Sequence, residues 1–140
     1  MTEDRTPGDV VHAAFEALLA HDTDAFTDLF ADDAVMEFPF APADRPQRLE
    51  GRDAVVGYMA GYPDLLDVQR IHDVVLHQGV DPTDLVAEFS ASGTVVATRE
   101  PYTARYVAVL TIEQGRIRNY RDYWNPVAFA DVPVGVGSRA

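Results

Sequence analysis

The feature that most constrains this chain is the order of two periodicities, with helical spacing in the first half and β texture in the second. Runs at residues 68–77, 85–92, 102–112 and 116–124 are rich in β-branched and aromatic residues. Turn residues separate them, namely Gly79, Asp81-Pro82 and Glu113-Gln114-Gly115, and the last turn is short enough to close an antiparallel hairpin. Ahead of these runs, Thr6-Pro7-Gly8-Asp9 is a helix start, with Thr as cap, Pro in the first turn and an acid three residues on. Val11, Phe15, Leu18 and Leu19 continue it at helical spacing. Asp22-Thr23 caps a second, short helix carrying Phe26, Leu29 and Phe30, and residues 51–60 form a third that stops before Pro63. A short strand at 35–38 and a loop with Pro39, Pro42 and Pro46 lie between them. Helices followed by consecutive antiparallel strands define an α+β domain. The expected form is a cone-shaped α+β barrel, three N-terminal helices packed on a strongly curved mixed sheet.

The 140 residues make one domain, with residues 1–6 and 127–140 as tails. The later tail, with Pro133, Gly135 and Gly137, is expected to wrap the surface or close a pocket. A formal net charge of −12 argues against nucleic acid or an anionic membrane as partner, since both need a basic footprint. There is no cysteine, which excludes disulfides, thiolate metal sites and a cysteine nucleophile. No stretch approaches 18 apolar residues and the start has no apolar leader core, so the expectation is a cytoplasmic protein.

The candidate site rests on the last run, Arg116-Ile-Arg-Asn-Tyr-Arg-Asp-Tyr-Trp124. Strict alternation puts Arg118, Tyr120, Asp122 and Trp124 on one face and Ile117, Asn119, Arg121 and Tyr123 on the other. A carboxylate between Tyr and Trp is desolvated, which raises its pKa and suits a general acid or base. Arg118, on the same face, is the group expected to oppose that shift. Tyr102, Ala104, Tyr106 and Ala108 alternate on the preceding strand, so small residues beside phenols leave room for a planar ligand. A phenol there can hydrogen-bond a carbonyl or enolate oxygen. By helix and strand phase, Phe15, Leu18, Met36, Phe38, Met59, Tyr62 and Leu66 form an apolar wall, with Tyr120 and Trp124 beside Asp122. His12, His21, His72 and His77 are not at ligand spacing; His72 and His77, five apart, fall on opposite faces, and no metal or cofactor is assigned.

The order of elements, with Phe30-Ala-Asp-Asp-Ala-Val, Glu50-Gly-Arg-Asp-Ala-Val and Gly115-Arg-Ile through Tyr-Arg-Asp-Tyr-Trp-Asn-Pro126, resembles the nuclear transport factor 2-like superfamily and, within it, the SnoaL-like branch. That superfamily hosts isomerases, cyclases, epoxide hydrolases, dehydratases and non-enzymes. The last strand is similar to those of limonene epoxide hydrolases and of the phenazine biosynthesis A/B proteins, which implies a catalytic acid at Asp122. The second acid, Arg, Tyr and Asn of the epoxide hydrolases have no match, because the corresponding segments read Glu88-Phe-Ser-Ala-Ser92 and Met36-Glu-Phe38. The resemblance also implies that the polar side of residues 85–92 faces inward. That would put Glu88 and Ser90 in the cavity, where two acids push each other's pKa apart.

The resemblance and the residues together imply a cofactor-independent enzyme of secondary metabolism. It would act on a hydrophobic small molecule by proton transfer next to a carbonyl, as an isomerase, dehydratase or aldol-type cyclase. Asp122 would move the proton, with Glu88 or Tyr106 stabilising the oxyanion. A non-catalytic module for an apolar metabolite and a subunit that only dimerises with an active partner are the other classes. A homodimer through the outer sheet face, bearing Asn119, Arg121 and Tyr123, is expected.

Overall fold

A computed structural model describes residues 5–125. The tails at 1–4 and 126–140, including the segment expected to wrap the surface, lie outside the described residues. Helix α1 (Pro7–Leu19) begins as its sequence dictates. The Thr6 hydroxyl accepts from the Asp9 amide at 3.1 Å, and the Asp9 carboxylate accepts from the Thr6 amide at 3.2 Å. This reciprocal pair satisfies two donors that a helix end otherwise leaves open. Val10, Val11, Ala14, Phe15 and Ala17 form the buried stripe of α1, while Leu19 faces outward. Asp22 caps α2 (Thr23–Thr27). Phe30, expected on that helix, instead opens β1 (Phe30–Glu37).

A three-residue strand, β2 (Arg48–Glu50), pairs with β1 in a segment whose prolines read only as loop. Helix α3 (Arg52–Ala60) follows, and Arg52 ties it to α2, donating to the Thr27 carbonyl at 3.2 Å and to Asp28 at 2.9 Å. A single turn, α4 (Tyr62–Leu65), carries Pro63 in its first turn, so this proline starts a new turn instead of simply ending the old helix.

Four long strands complete the chain: β3 (Leu66–Gln78), β4 (Asp84–Val95), β5 (Pro101–Glu113) and β6 (Arg116–Trp124). The sheet order is β2-β1-β6-β5-β4-β3, all antiparallel except the β1–β6 pair. The sheet is therefore mixed and strongly curved, with the helices in its concavity and the cone left open. The β5–β6 turn has positive φ at both central residues, Gln114 (55°) and Gly115 (75°), as a two-residue hairpin with right-handed strand twist requires.

Four register shifts interrupt the pairing, and two of them move residues that strict alternation misplaces. The β5–β6 register shifts between Thr111 and Ile112, whose partners are Asn119 and Ile117. Arg118 is the extra residue, and strict alternation fails there. Ile117 is 0% exposed in the core with Tyr120 and Trp124, whereas Arg118 turns out to Asp33 (3.3 Å) and Glu113 (3.8 Å). In β3 the register shifts between His72 and Val75, and Asp73 has φ 55°. The bulge brings His72 and His77 to the same outer face, against the expectation of opposite faces. There His72 bonds Ser92 (2.8 Å) and His77 bonds Glu88 (2.6 Å). Gly93 lies inside β4, where a Cβ would collide with the Asp67 carbonyl oxygen. Only glycine admits that approach of β3.

Candidate active site

Cross-strand registers build the site row by row. Leu76, Ala87, Ala108 and Asp122 are successive partners across β3 to β6. Phe89, Tyr106 and Trp124 form the row beside them, and Leu85, Leu110, Tyr120 and Met36 the row on the other side. Partners in a row share a face. Asp122 therefore projects into the concavity between Tyr120 and Trp124 of the flanking rows, with two alanines beside it leaving space. A cavity of about 70 Å3 opens over this patch. Its walls are Met36, Val68, Ile71, Phe89, Ala91, Tyr106, Tyr120, Asp122 and Trp124 from the sheet and Leu18, Phe26, Tyr58, Met59 and Tyr62 from the helices.

Among the described residues, the carboxyl of Asp122 is the one acid of this wall. It presents some surface to the cavity, yet Oδ1 is buried with no hydrogen-bond partner. Removal from water disfavours the charged form, and burial pushes this carboxyl up to about 7. Arg118, expected to oppose the shift, points away because of the bulge. The surrounding phenols are pushed well up as well. Burial is the main cause for Tyr58, Tyr62, Tyr106 and Tyr120, and the charge of Asp122 adds to it in all four. They are protonated donors at neutral pH. Tyr62 and Tyr106 hydrogen-bond each other, and the ring of Tyr106 stacks on Phe89 at 5.2 Å. At the rim, the guanidinium of Arg45 lies 5.8 Å from the centroid of the Trp124 ring. Side chain Gln47 shapes the loop carrying Arg45, donating to the carbonyls of Ala41 and Pro42 at 2.9 Å each.

Asp122, Tyr106, Leu18, Met36, Met59, Tyr62, Tyr120 and Trp124 from the expected set meet in this cavity. Glu88 and Ser90 do not. The inward residues of β4 are Leu85, Ala87, Phe89 and Ala91, which leaves Glu88 and Ser90 on the outer face. Glu88 meets His77 and, at 3.6 Å, Arg105, while Ser90 accepts from Arg105 at 2.9 Å. Two acids sharing one cavity are thereby ruled out. Phe15, Phe38 and Leu66 are plain core, with Phe15 against Phe89 (4.8 Å) and Phe38 against Tyr58 (5.1 Å). Tyr102 packs half-buried against the core away from the cavity wall. His12 is exposed. Sequence reasoning missed Phe26, Tyr58, Val68, Ile71, Phe89 and Ala91. For Phe89 and Ala91 the signal was present, since the apolar side of β4 alternates without a break. Tyr58 and Tyr62 are four apart, but a helix break at Gly61 separates them, so helical phase could not pair them.

A helix-lined cone on a mixed sheet, with its polar group on the last strand, places the protein in the nuclear transport factor 2-like superfamily. The chain belongs to the SnoaL-like domain family, which it matches over residues 11–120. It is 34% identical to an uncharacterized PhzA/B-like protein of Pseudomonas aeruginosa, over 85% of this chain and 84% of that one. Among solved structures it resembles a candidate isomerase from Bacillus subtilis, with TM-score 0.90 and 31% identity, covering 99% of this chain and 100% of that one. A candidate polyketide cyclase from Pseudomonas putida KT2440 shares the fold at TM-score 0.79 and 22% identity, covering 92% and 99%. These likenesses show the SnoaL-like fold along nearly the whole chain.

Proposed function

We propose that the protein catalyses proton transfer next to a carbonyl of a hydrophobic small molecule, as an isomerase, dehydratase or aldol-type cyclase. The observation that carries this reading is the buried Asp122 carboxyl, with Oδ1 unpartnered and a pKa of about 7. Such a group is substantially present in both protonation states at neutral pH, the condition under which one carboxyl serves as both base and acid. Tyr106, or Tyr62 bonded to it, donates to the developing oxyanion. The apolar wall excludes water and orients the substrate. The cavity encloses the reacting part of the substrate, and the remainder projects past Arg45.

The test is exchange of α-protons of small cyclic ketones in deuterated water, followed by proton NMR. Wild-type protein should accelerate exchange, and Asp122→Asn should slow it by roughly 10²–10⁴-fold while leaving the fold intact. An Asp122→Asn protein that exchanges as fast as wild type removes the acid/base role.

The same reading includes a homodimer through the outer sheet face. Val75, Glu88, Val107 and Tyr123 form one row there, and Phe40, 59% exposed, packs its ring on Tyr123 at 5.1 Å. Light scattering at micromolar concentration should give twice the 15.4 kDa chain mass, and a monomer mass rejects it.

A further inference from the structure

We propose that the cavity receives a compact alkylammonium group, held between the carboxylate of Asp122 and the faces of the aromatic rings around it. Proton transfer and this binding are separate properties of the same cavity, and either can hold without the other.

Three observations carry it. First, among the described residues, half of the fourteen that line the wall are aromatic, one is a carboxylate, and none is lysine, arginine or histidine. Ring faces bear negative charge density, so a cation over them is attracted, and more strongly when water is excluded. Second, the buried Oδ1 of Asp122 lacks any donor, although phenols surround it. Tyr62 and Tyr106 bond to each other. The part of the carboxyl that lines the cavity can pair with a donor or a cation, which a purely apolar ligand does not supply. Third, the volume of about 70 Å3 is near half that of the ~150 Å3 cavity known to accept benzene. It suits a small, weakly hydrated head group such as a methylated ammonium.

The competing occupant is a neutral carbonyl compound, and the two differ in the sign of their pH dependence. A cation prefers the ionised carboxylate, so its affinity rises as pH rises through about 7. A carbonyl accepting a hydrogen bond from the protonated acid gains affinity in the other direction. The groups facing Asp122 do not obscure this contrast. They are the phenols of Tyr58 on α3, Tyr62 on α4, Tyr106 on β5 and Tyr120 on β6, all held protonated in this range. The guanidinium of Arg45 lies at the rim, over the Trp124 ring.

The experiment titrates the protein with trimethylammonium chloride and, separately, with tert-butanol of similar shape, by calorimetry and NMR at pH 6 and pH 8. We expect trimethylammonium to bind about tenfold tighter at pH 8 than at pH 6, following ionisation of a group near 7. It should also bind at least about tenfold tighter than tert-butanol at pH 8, the margin of one charge–carboxylate contact. Asp122→Asn should lose that margin and the pH dependence. Equal affinity for tert-butanol, tighter binding at pH 6, or an unchanged Asp122→Asn protein overturns the proposal. Ketone exchange lost in Asp122→Asn, with no ammonium binding in wild type, would leave the proton-transfer reading standing alone.

Discussion

Two rows of side chains cross the same four strands one residue apart, and each contains a single acid. On the outer face the row is Val75, Glu88, Val107 and Tyr123; on the inner face it is Leu76, Ala87, Ala108 and Asp122. Glu88 sits against His77 at 2.6 Å and Arg105 at 3.6 Å, within reach of water. Asp122 has alanines and aromatic rings beside it and an Oδ1 with no donor. The backbone geometry of the two positions is similar, so the difference in chemistry comes from solvent access and from what lies opposite. An acid with partners in water holds the surface together weakly. An acid deprived of both is destabilising, and among the described residues such an acid lines the cavity.

The largest effect that sharpens this contrast is on stability against pH. The folded pKa of Asp122 is raised, to about 7 from an ordinary 3.8. Folding then favours the protonated form, and no penalty exists below pH 3.8. The penalty grows as pH rises from there and is complete above about 7, reaching about 4 kcal/mol at most. Asp122→Asn should therefore gain stability relative to wild type across that window and hold a constant lead above it, as urea unfolding at pH 4, 6 and 8 would record. A lead independent of pH would show that Asp122 is no more desolvated than Glu88.

Next in size is the bulge that aims the inner row. Ile117→Ala should cost about 2–5 kcal/mol, because the side chain is fully buried. Strict alternation along β6 would put Ile117 outside, where the same change costs within about 0.5 kcal/mol. Thermal or denaturant unfolding separates the two. The smallest effect belongs to the outer row. Glu88→Gln should cost under about 1 kcal/mol, as exposed pairs do, and leave ketone exchange unchanged. A loss of exchange there would mean that the two faces are coupled.

What was legible in the sequence followed from regular periods. The α+β order, the capped first helix, the four long strands and the inward set on β5 all obey simple spacing. Asp122 could be picked out because Tyr120 and Trp124 flank it at two-residue spacing beyond the bulge. Arg118 lies before the bulge, and alternation could not place it, since one extra residue reverses every face behind it. His72 and His77 were misplaced for the same reason at Asp73. Glu88 is a different failure. The plain hydrophobic pattern of β4, with Leu85, Ala87, Phe89 and Ala91 on one side, puts Glu88 outside, and a resemblance overrode it. Tyr58 and Tyr62 needed the break at Gly61, which tertiary packing decides.

The parallel pairing of β1 with β6 has a consequence for how the chain reaches this state. Met36 and Tyr120 are partners across 84 positions of sequence, and β6 is the last strand among the described residues. On the ribosome, α1 to β5 emerge while one edge of β1, bearing Ala34 and Met36, still lacks its neighbour. Such an unpaired apolar edge is a template for association with another chain. The strand that carries the reactive carboxyl is thus also the closing stave of the sheet. Pairing β1 with β6 closes a far longer loop than the two-residue β5–β6 turn, and loop-closure entropy makes it the slower of the two pairings.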